Sequence, residues 1–140
     1  MDMIIDAENA ILGRLASKVA KELLLGKNIA IVNAEKAVVS GNPRYSLEFF
    51  KGKISRGDPY KGPFYPRSPD RILKRVVRGM LPYKKFQGKK AYKRLHVFIS
   101  VPEEFRGEKI LKLKEVENRL EKKFISLGVL SEMLGAKKLW

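Results

Sequence analysis

Apolar residues in the first forty positions follow two rhythms in turn, and that alternation limits the possible folds more than any other feature of the chain. Ile4 and Ile5 form a short apolar run that Asp6 ends. Leu12, Leu15, Ala16, Val19, Leu23 and Leu24 then recur with the 3.6-residue period of a helix, for which Asn9 is the expected cap and Gly26 the expected stop. Ile29-Ala30-Ile31-Val32 is continuous and apolar, as in a strand covered on both faces. After a turn over 33–36, Ala37-Val38-Val39 adds a shorter apolar piece. Strand, helix, strand predicts a βαβ unit, hence an α/β layered domain with a right-handed crossover.

A chain of 140 residues fits one domain, and 44% hydrophobic content is enough to build its core without metal or disulfides. The absence of cysteine excludes a disulfide scaffold, a cysteine zinc site and thiol catalysis together. The start, Met1 to Asp6, lacks the charged and apolar regions of a signal peptide, and no apolar run approaches the ~20 residues of a membrane span. The expected location is the cytoplasm.

Charge is the second constraint. The chain carries a net +15, and residues 36–94 supply seventeen Lys/Arg against only Glu48, Asp58 and Asp70. Both flanks nearly cancel. A balanced frame that displays one cationic stretch predicts a polyanionic partner, with nucleic acid the first candidate.

Within that stretch, Asn42-Pro43 opens a helix through Leu47, Phe49 and Phe50. Residues 52–69 hold three glycines and four prolines, which predicts a long loop. Its bases Lys53, Arg56, Lys61 and Arg67 are placed to reach phosphates, and Tyr60, Phe64 and Tyr65 either stack on bases or tuck against the domain. Arg56-Gly57-Asp58 spells an integrin-type tripeptide, a coincidence in a chain with no secretory signal. Ser68, Pro69 and Asp70 punctuate the start of a helix over 69–78 that Gly79 ends. Its Ile72, Leu73, Val76, Val77 and Met80 form one face, and Arg71, Lys74, Arg75 and Arg78 the other. From Tyr83 to Arg94 basic pairs alternate with aromatics, continuing the same surface. Residues 95–101 are expected to be a buried strand ended by Pro102, Glu115 to Lys123 a polar helix, and Leu127 to Leu134 a short apolar helix. Ser126 to Ser131 lacks the basic recognition helix that a helix-turn-helix requires.

These residues resemble the universal large-subunit ribosomal protein thirteen family in its archaeal and eukaryotic form. The resemblance rests on Asp6-Ala7, Leu12-Gly13-Arg14-Leu15-Ala16-Ser17, Val32-Asn33-Ala34-Glu35-Lys36 and Ser40-Gly41-Asn42. It is carried above all by Gly62-Pro63-Phe64-Tyr65-Pro66-Arg67-Ser68-Pro69, Arg71-Ile72, Arg78-Gly79-Met80-Leu81-Pro82, Gly88 and Leu95-His96-Val97-Phe98. The chain departs from the bacterial pattern in lacking the longer N-terminal extension and the His-Pro-His stretch, where Val101 to Phe105 stands instead. The resemblance implies a three-layer α/β/α domain around a small four-stranded sheet, mostly parallel or mixed. It also implies binding to large-subunit rRNA, a part in subunit assembly and no catalytic residues.

An enzyme is the competing class. His96 is the only histidine, and no G-x-S-x-G, G-x-x-x-x-G-K-[ST] or G-x-G-x-x-G motif occurs. Asp6 and Glu8 are better read as acids ahead of a helix than as magnesium ligands. No cofactor, metal, membrane or small-molecule partner is expected. The sequence therefore predicts a single domain over 1–140, with an RNA-binding insertion at about 44–94 and a less defined tail at 106–140. The expected contacts are Arg44, Lys51, Lys53, Arg56, Tyr60, Lys61, Arg67, Arg71, Lys74, Arg75, Arg78, Lys84, Lys85, Lys89, Lys90, Lys93 and Arg94. Tyr83 and Tyr92 join Tyr60, Phe64 and Tyr65 as residues that either stack on bases or pack in the core. The expected partners are large-subunit rRNA and neighbouring large-subunit ribosomal proteins, with a monomer when free. The alternatives are a free-standing RNA-binding regulator, an RNA-processing enzyme and a basic module on anionic membrane.

Overall fold

The computed structural model describes Met1–Trp140. In chain order its elements are β1 (Met3–Asp6), α1 (Leu12–Leu24), β2 (Ile29–Val32), β3 (Val38–Ser40), α2 (Pro43–Ser55), α3 (Pro69–Met80), α4 (Phe86–Lys93), β4 (Leu95–Val97), β5 (Ile110–Leu111), β6 (Phe124–Ser126) and α5 (Leu127–Met133). Single 3₁₀ turns lie at Ala34–Lys36, Glu103–Phe105 and Lys114–Val116. None of the helices is long and apolar enough to cross a membrane.

The central sheet has the order β4-β2-β1-β5 with every neighbouring pair parallel, so the predicted α/β class and four-stranded sheet are found. Side chains alternate across it as the pleat requires. Ile5, Ile29, Ile31 and Leu95 face a large core that also holds Leu15, Val19 and Leu23 of α1 and Ile72, Leu73 and Val77 of α3. Ile4, Ala30 and Val32 face the other way, towards Phe105, with Phe98, Val101 and Ile110 beside them. A parallel sheet needs cover on both faces. Here the second cover is a short irregular segment whose Phe98 and Phe105 rings meet edge to face at 5.5 Å. The exposed His96 lies on β4 beside Ala30, at the rim of that thinner face.

Several boundaries differ from those expected, each for a local reason. Asn9 does not cap α1. It adopts a left-handed φ of 56°, Ile11 takes the cap position, and the Asn9 carbonyl accepts a hydrogen bond from Asn118 N–H at 2.7 Å. At the other end Gly26, at φ 97°, stops the helix as expected, with Gly26 N–H donating to Leu23 and Lys27 N–H to Glu22, the two bonds of a Schellman motif. Helix α2 runs on to Ser55, so the irregular segment is 56–68 and Lys53 is helical. Gly79 lies inside α3, which continues to Met80, and Ser68 holds the cap position without a side-chain capping bond. Residues 86–93 form a helix that their alternating composition did not suggest. Strand β4 ends at Val97, because Ser100 turns the chain at φ 58° and its N–H donates to the buried Glu35 carboxylate at 3.0 Å.

The tail is organised by pairing instead of by the polar helix expected over 115–123. Asn118 Oδ1 accepts from Leu120 N–H at 2.9 Å, a local turn that competes with helix. Strand β6 then pairs antiparallel with β3, setting Val38 against Ser126, and Ser126 Oγ caps α5 by accepting from Val129 N–H at 3.4 Å. Asp6 and Glu8 also have roles other than helix capping. Asp6 Oδ1 accepts from Glu8 N–H and Asn33 Nδ2, both at 2.9 Å, and Glu8 pairs with Lys112 of the tail at 3.0 Å. That partner holds the Glu8 carboxyl below the ordinary carboxylate range.

Two glycine substitutions in the basic region should have opposite signs. A Cβ at Gly88 would lie 2.1 Å from the Pro82 carbonyl oxygen, whereas one at Gly52 would meet nothing within 4 Å. Urea denaturation should show Gly88→Ala destabilised by about 1–3 kcal/mol and Gly52→Ala stabilised by about 0.5–1 kcal/mol. Equal effects would contradict this packing.

Candidate nucleic-acid interface

Helix α3 links the core to the charge. Its Ile72, Leu73 and Val77 are fully buried, so helical geometry directs Arg71, Lys74, Arg75 and Arg78 away from the core. Arg71 is exposed, while Lys74, Arg75 and Arg78 are half-buried. The half-burial comes from aromatic rings. Lys74 Nζ lies 5.3 Å from the Tyr92 centroid, Arg75 Cζ 5.3 Å from Tyr65, and Arg78 Cζ 4.8 Å from Tyr83. Tyr83 and Tyr92 in turn meet edge to face at 5.4 Å, joining α3 to α4. On the opposite side Lys53 of α2 lies 4.4 Å from Phe49 and 5.3 Å from the same Tyr65 ring. Each such contact contributes roughly 0.5–1 kcal/mol at a partly exposed site and leaves the cation charged. Burial pushes the Tyr65 and Tyr92 hydroxyl pKa values up, opposed by Arg75 at the first and mainly Arg78 at the second.

The expected aromatics therefore divide. Tyr65, Tyr83 and Tyr92 serve as platforms for the protein's own cations, whereas Tyr60, at 90% exposure, and Phe64 stand free. The 56–68 loop shapes that display. Gly57 has φ 89°, and a Cβ there would lie 2.2 Å from Pro63 Cδ. Gly62 N–H donates to the Asp58 carbonyl at 2.7 Å, closing a turn with Tyr60 and Lys61 at its tip. Exposed Tyr45 and Phe49 were not foreseen as part of this surface, whereas the exposed Phe86 stands in the Tyr83 to Arg94 stretch expected to continue it. The spacing of Tyr45, Phe49 and Lys53 at every fourth residue of α2 is the signal that places them together.

The bases remain almost free of acids. Of the ion pairs in the structure, one involves an expected contact residue: the exposed pair of Arg44 with Glu48 at 3.5 Å. The others, such as Lys18 with Glu115 and Lys138 with Glu132, lie in the flanks or the tail, or at the Glu8 corner with Lys36 and Lys112. Lys51, Arg56, Lys61, Arg67, Lys84, Lys85, Lys89, Lys90 and Lys93 are exposed. The tail adds a base to the set, since Lys137 shares a cavity with Arg67 and Arg71 at the start of α3. Arg94 differs from the rest. Its Nη2 donates to the Leu23 carbonyl at 2.8 Å and its Nε is buried, so this guanidinium holds the C-terminal end of α1. The structure has no cluster of three or more His, Cys, Asp or Glu side chains able to hold a metal.

Residues 1–104 match the family described as ribosomal protein L13. The chain is 49% identical over 137 residues to the large ribosomal subunit protein uL13 of Archaeoglobus fulgidus, covering 94% of this chain and 86% of that protein. It is 47% identical to the protein of the same name from Methanosarcina barkeri, covering 96% and 98%, and 41% identical to that of Haloarcula marismortui, covering 99% and 94%. The similarity to these archaeal proteins thus extends into the tail, beyond the 104 residues of the family match.

Arg94 and its neighbours should separate in a stability measurement. Arg94→Gln removes a charged hydrogen bond to a helix end and should cost about 1.5–3 kcal/mol in urea denaturation, while Lys90→Gln and Lys93→Gln should stay within about 0.5 kcal/mol of the parent.

Proposed function

This chain belongs to the ribosomal protein L13 family, and from that premise we propose that it is a structural, non-catalytic constituent of the large ribosomal subunit that binds large-subunit rRNA through its 44–94 surface. One observation carries the RNA-binding part: a dense set of bases in which only Arg44 is paired with a carboxylate. Like charges crowded on α3 repel one another, and each folded copy bears that cost until counter-charge arrives. Phosphates supply it. Fixed Arg and Lys side chains neutralise RNA segments that crowd together, lower their mutual repulsion and set their relative placement, which is how such a surface supports subunit assembly.

The parts divide the work. Arg71, Lys74, Arg75 and Arg78 sit on a rigid helix and fix register; Arg44, Lys51 and Lys53 extend the surface along α2 to Arg56 just past its end; Lys84 and Lys85 lead into α4, where Lys89, Lys90 and Lys93 continue it. Arg67 and Lys61 reach out from the loop, where Tyr60 offers a free ring for an unpaired base. Arg94 belongs to the scaffold instead. Neighbouring large-subunit proteins complete the environment, and the setting is the cytoplasmic ribosome.

Two measurements test this reading. In a fractionated extract the protein should co-sediment with the large subunit, and a distribution concentrated in ribosome-free fractions would reject the structural role in favour of a free regulator. Changing Arg71, Lys74, Arg75 and Arg78 together to Gln should weaken rRNA binding and reduce the log-log salt slope by about 3 units, at roughly 0.7–0.9 per phosphate contact. Loss of three cation–π contacts against relief of repulsion should leave the melting temperature nearly unchanged. An unaltered salt slope would remove α3 from the interface.

A further inference from the structure

The groove between α2 and α3 differs from the rest of the basic surface. It is an open cavity of about 550 Å³ into which Lys53, Arg56 and Arg75 project, with no carboxylate in its lining. Pro63, Val76 and Met80 form an apolar wall, and Tyr65 lies between the cations. That volume falls within the roughly 300–1,000 Å³ of pockets that bind small ligands. By contrast, the cavity beside Trp140 is lined by Glu8, Glu35 and Glu132 as well as Lys36 and Lys138, a mixture that does not favour an anion.

Gly79 is the second observation. It lies in the last turn of α3 on the rim of this groove, with ordinary helical φ, and a Cβ there would meet nothing within 4 Å. A helical glycine is less stable than alanine by roughly 0.8–1 kcal/mol, so nothing inside this chain accounts for the missing side chain. Bare backbone on an open rim is what close approach by another molecule requires.

We propose that the α2–α3 groove receives one unstacked nucleotide of the bound RNA, its phosphate held by Lys53, Arg56 and Arg75 and its base laid over Gly79 against Val76, Met80 and Pro63. This rests on the RNA-binding reading above and adds shape recognition to it. Lys53 and Arg75 are suited to the task because contacts with the Tyr65 ring hold both in place before the phosphate arrives, so less side-chain freedom is lost on binding. The base is accepted by an apolar wall with no side-chain amide or carboxylate to read its edge, so any of the four bases should fit.

The test is a charge-neutral obstruction. Gly79→Leu keeps every cation and adds a good helix former in open space, so it should fold with equal or higher thermal stability. Filling the groove should weaken binding to large-subunit rRNA about tenfold, the equivalent of losing one stacked base, with the salt slope unchanged. Gly79→Ala, which sets only a Cβ beneath the base, should weaken binding in the same direction but by a smaller factor. A Gly79→Leu protein that binds as tightly as the parent would overturn the proposal while the parent's steep salt slope left the broader RNA-binding reading intact. A parent with no salt-dependent rRNA binding would sink both. As a second readout, the methyl resonance of ¹³C-labelled Met80 should shift on titration with nucleoside 5′-monophosphates, and not in Gly79→Leu. No shift with any of the four, or an equal shift with inorganic phosphate, would refute a place for the base.

Discussion

Aromatic rings hold Lys53, Lys74, Arg75 and Arg78 in position without neutralising them, and the basic face depends on that use of ring quadrupole in place of carboxylate. A carboxylate partner would fix a lysine equally well, but it would cancel the charge and would have to be displaced by any phosphate. A tyrosine face anchors the same group and leaves its field intact. Because Tyr65 serves cations from both α2 and α3, and Tyr83 and Tyr92 join α3 to α4, three helices share one set of supports. The flanks use the ordinary solution: their ion pairs, such as Lys112 with Glu8, bind segments of the frame together.

That arrangement works because α3 belongs to both halves of the molecule. Ile72, Leu73 and Val77 are as fully buried as the sheet residues Ile29 and Ile31. The cations between them therefore inherit the rigidity of the core, and their spacing is that of an α-helix held on a parallel sheet. Helix α2 is anchored by Phe50, with Leu47 and Ile54 partly covered beside it, and leaves Tyr45 and Phe49 open.

Periodicity alone made much of this legible. The βαβ start, the buried run at 29–32, the two faces of α3 and the segregation of charge all depend on nearest-neighbour physics that a single chain displays. The family resemblance supplied the small four-stranded sheet. The features that escaped depend on partners distant in sequence. Asn9 has the composition of a cap, but its carbonyl is taken by Asn118. Strand β5 is two residues long and exists because β1 offers it an edge. The 86–93 helix is the local exception: Gly88 packs against the Pro82 carbonyl only six residues back, a contact that no periodic pattern reveals. Tyr65, Tyr83 and Tyr92 stood equally for base platforms or core residues, and only the positions of Lys53, Lys74, Arg75 and Arg78 show that they support side chains.

The pairing of Ile4 with Ile110, and of Val38 with Ser126, has a consequence for biosynthesis. In a chain made from its amino end the cationic segment over 36–94 is complete before the strands that finish the frame are added. Until then the edge of β1 lacks its outer neighbour and the incomplete sheet is open to aggregation. The strands that close the frame thus follow the whole basic surface in order of synthesis.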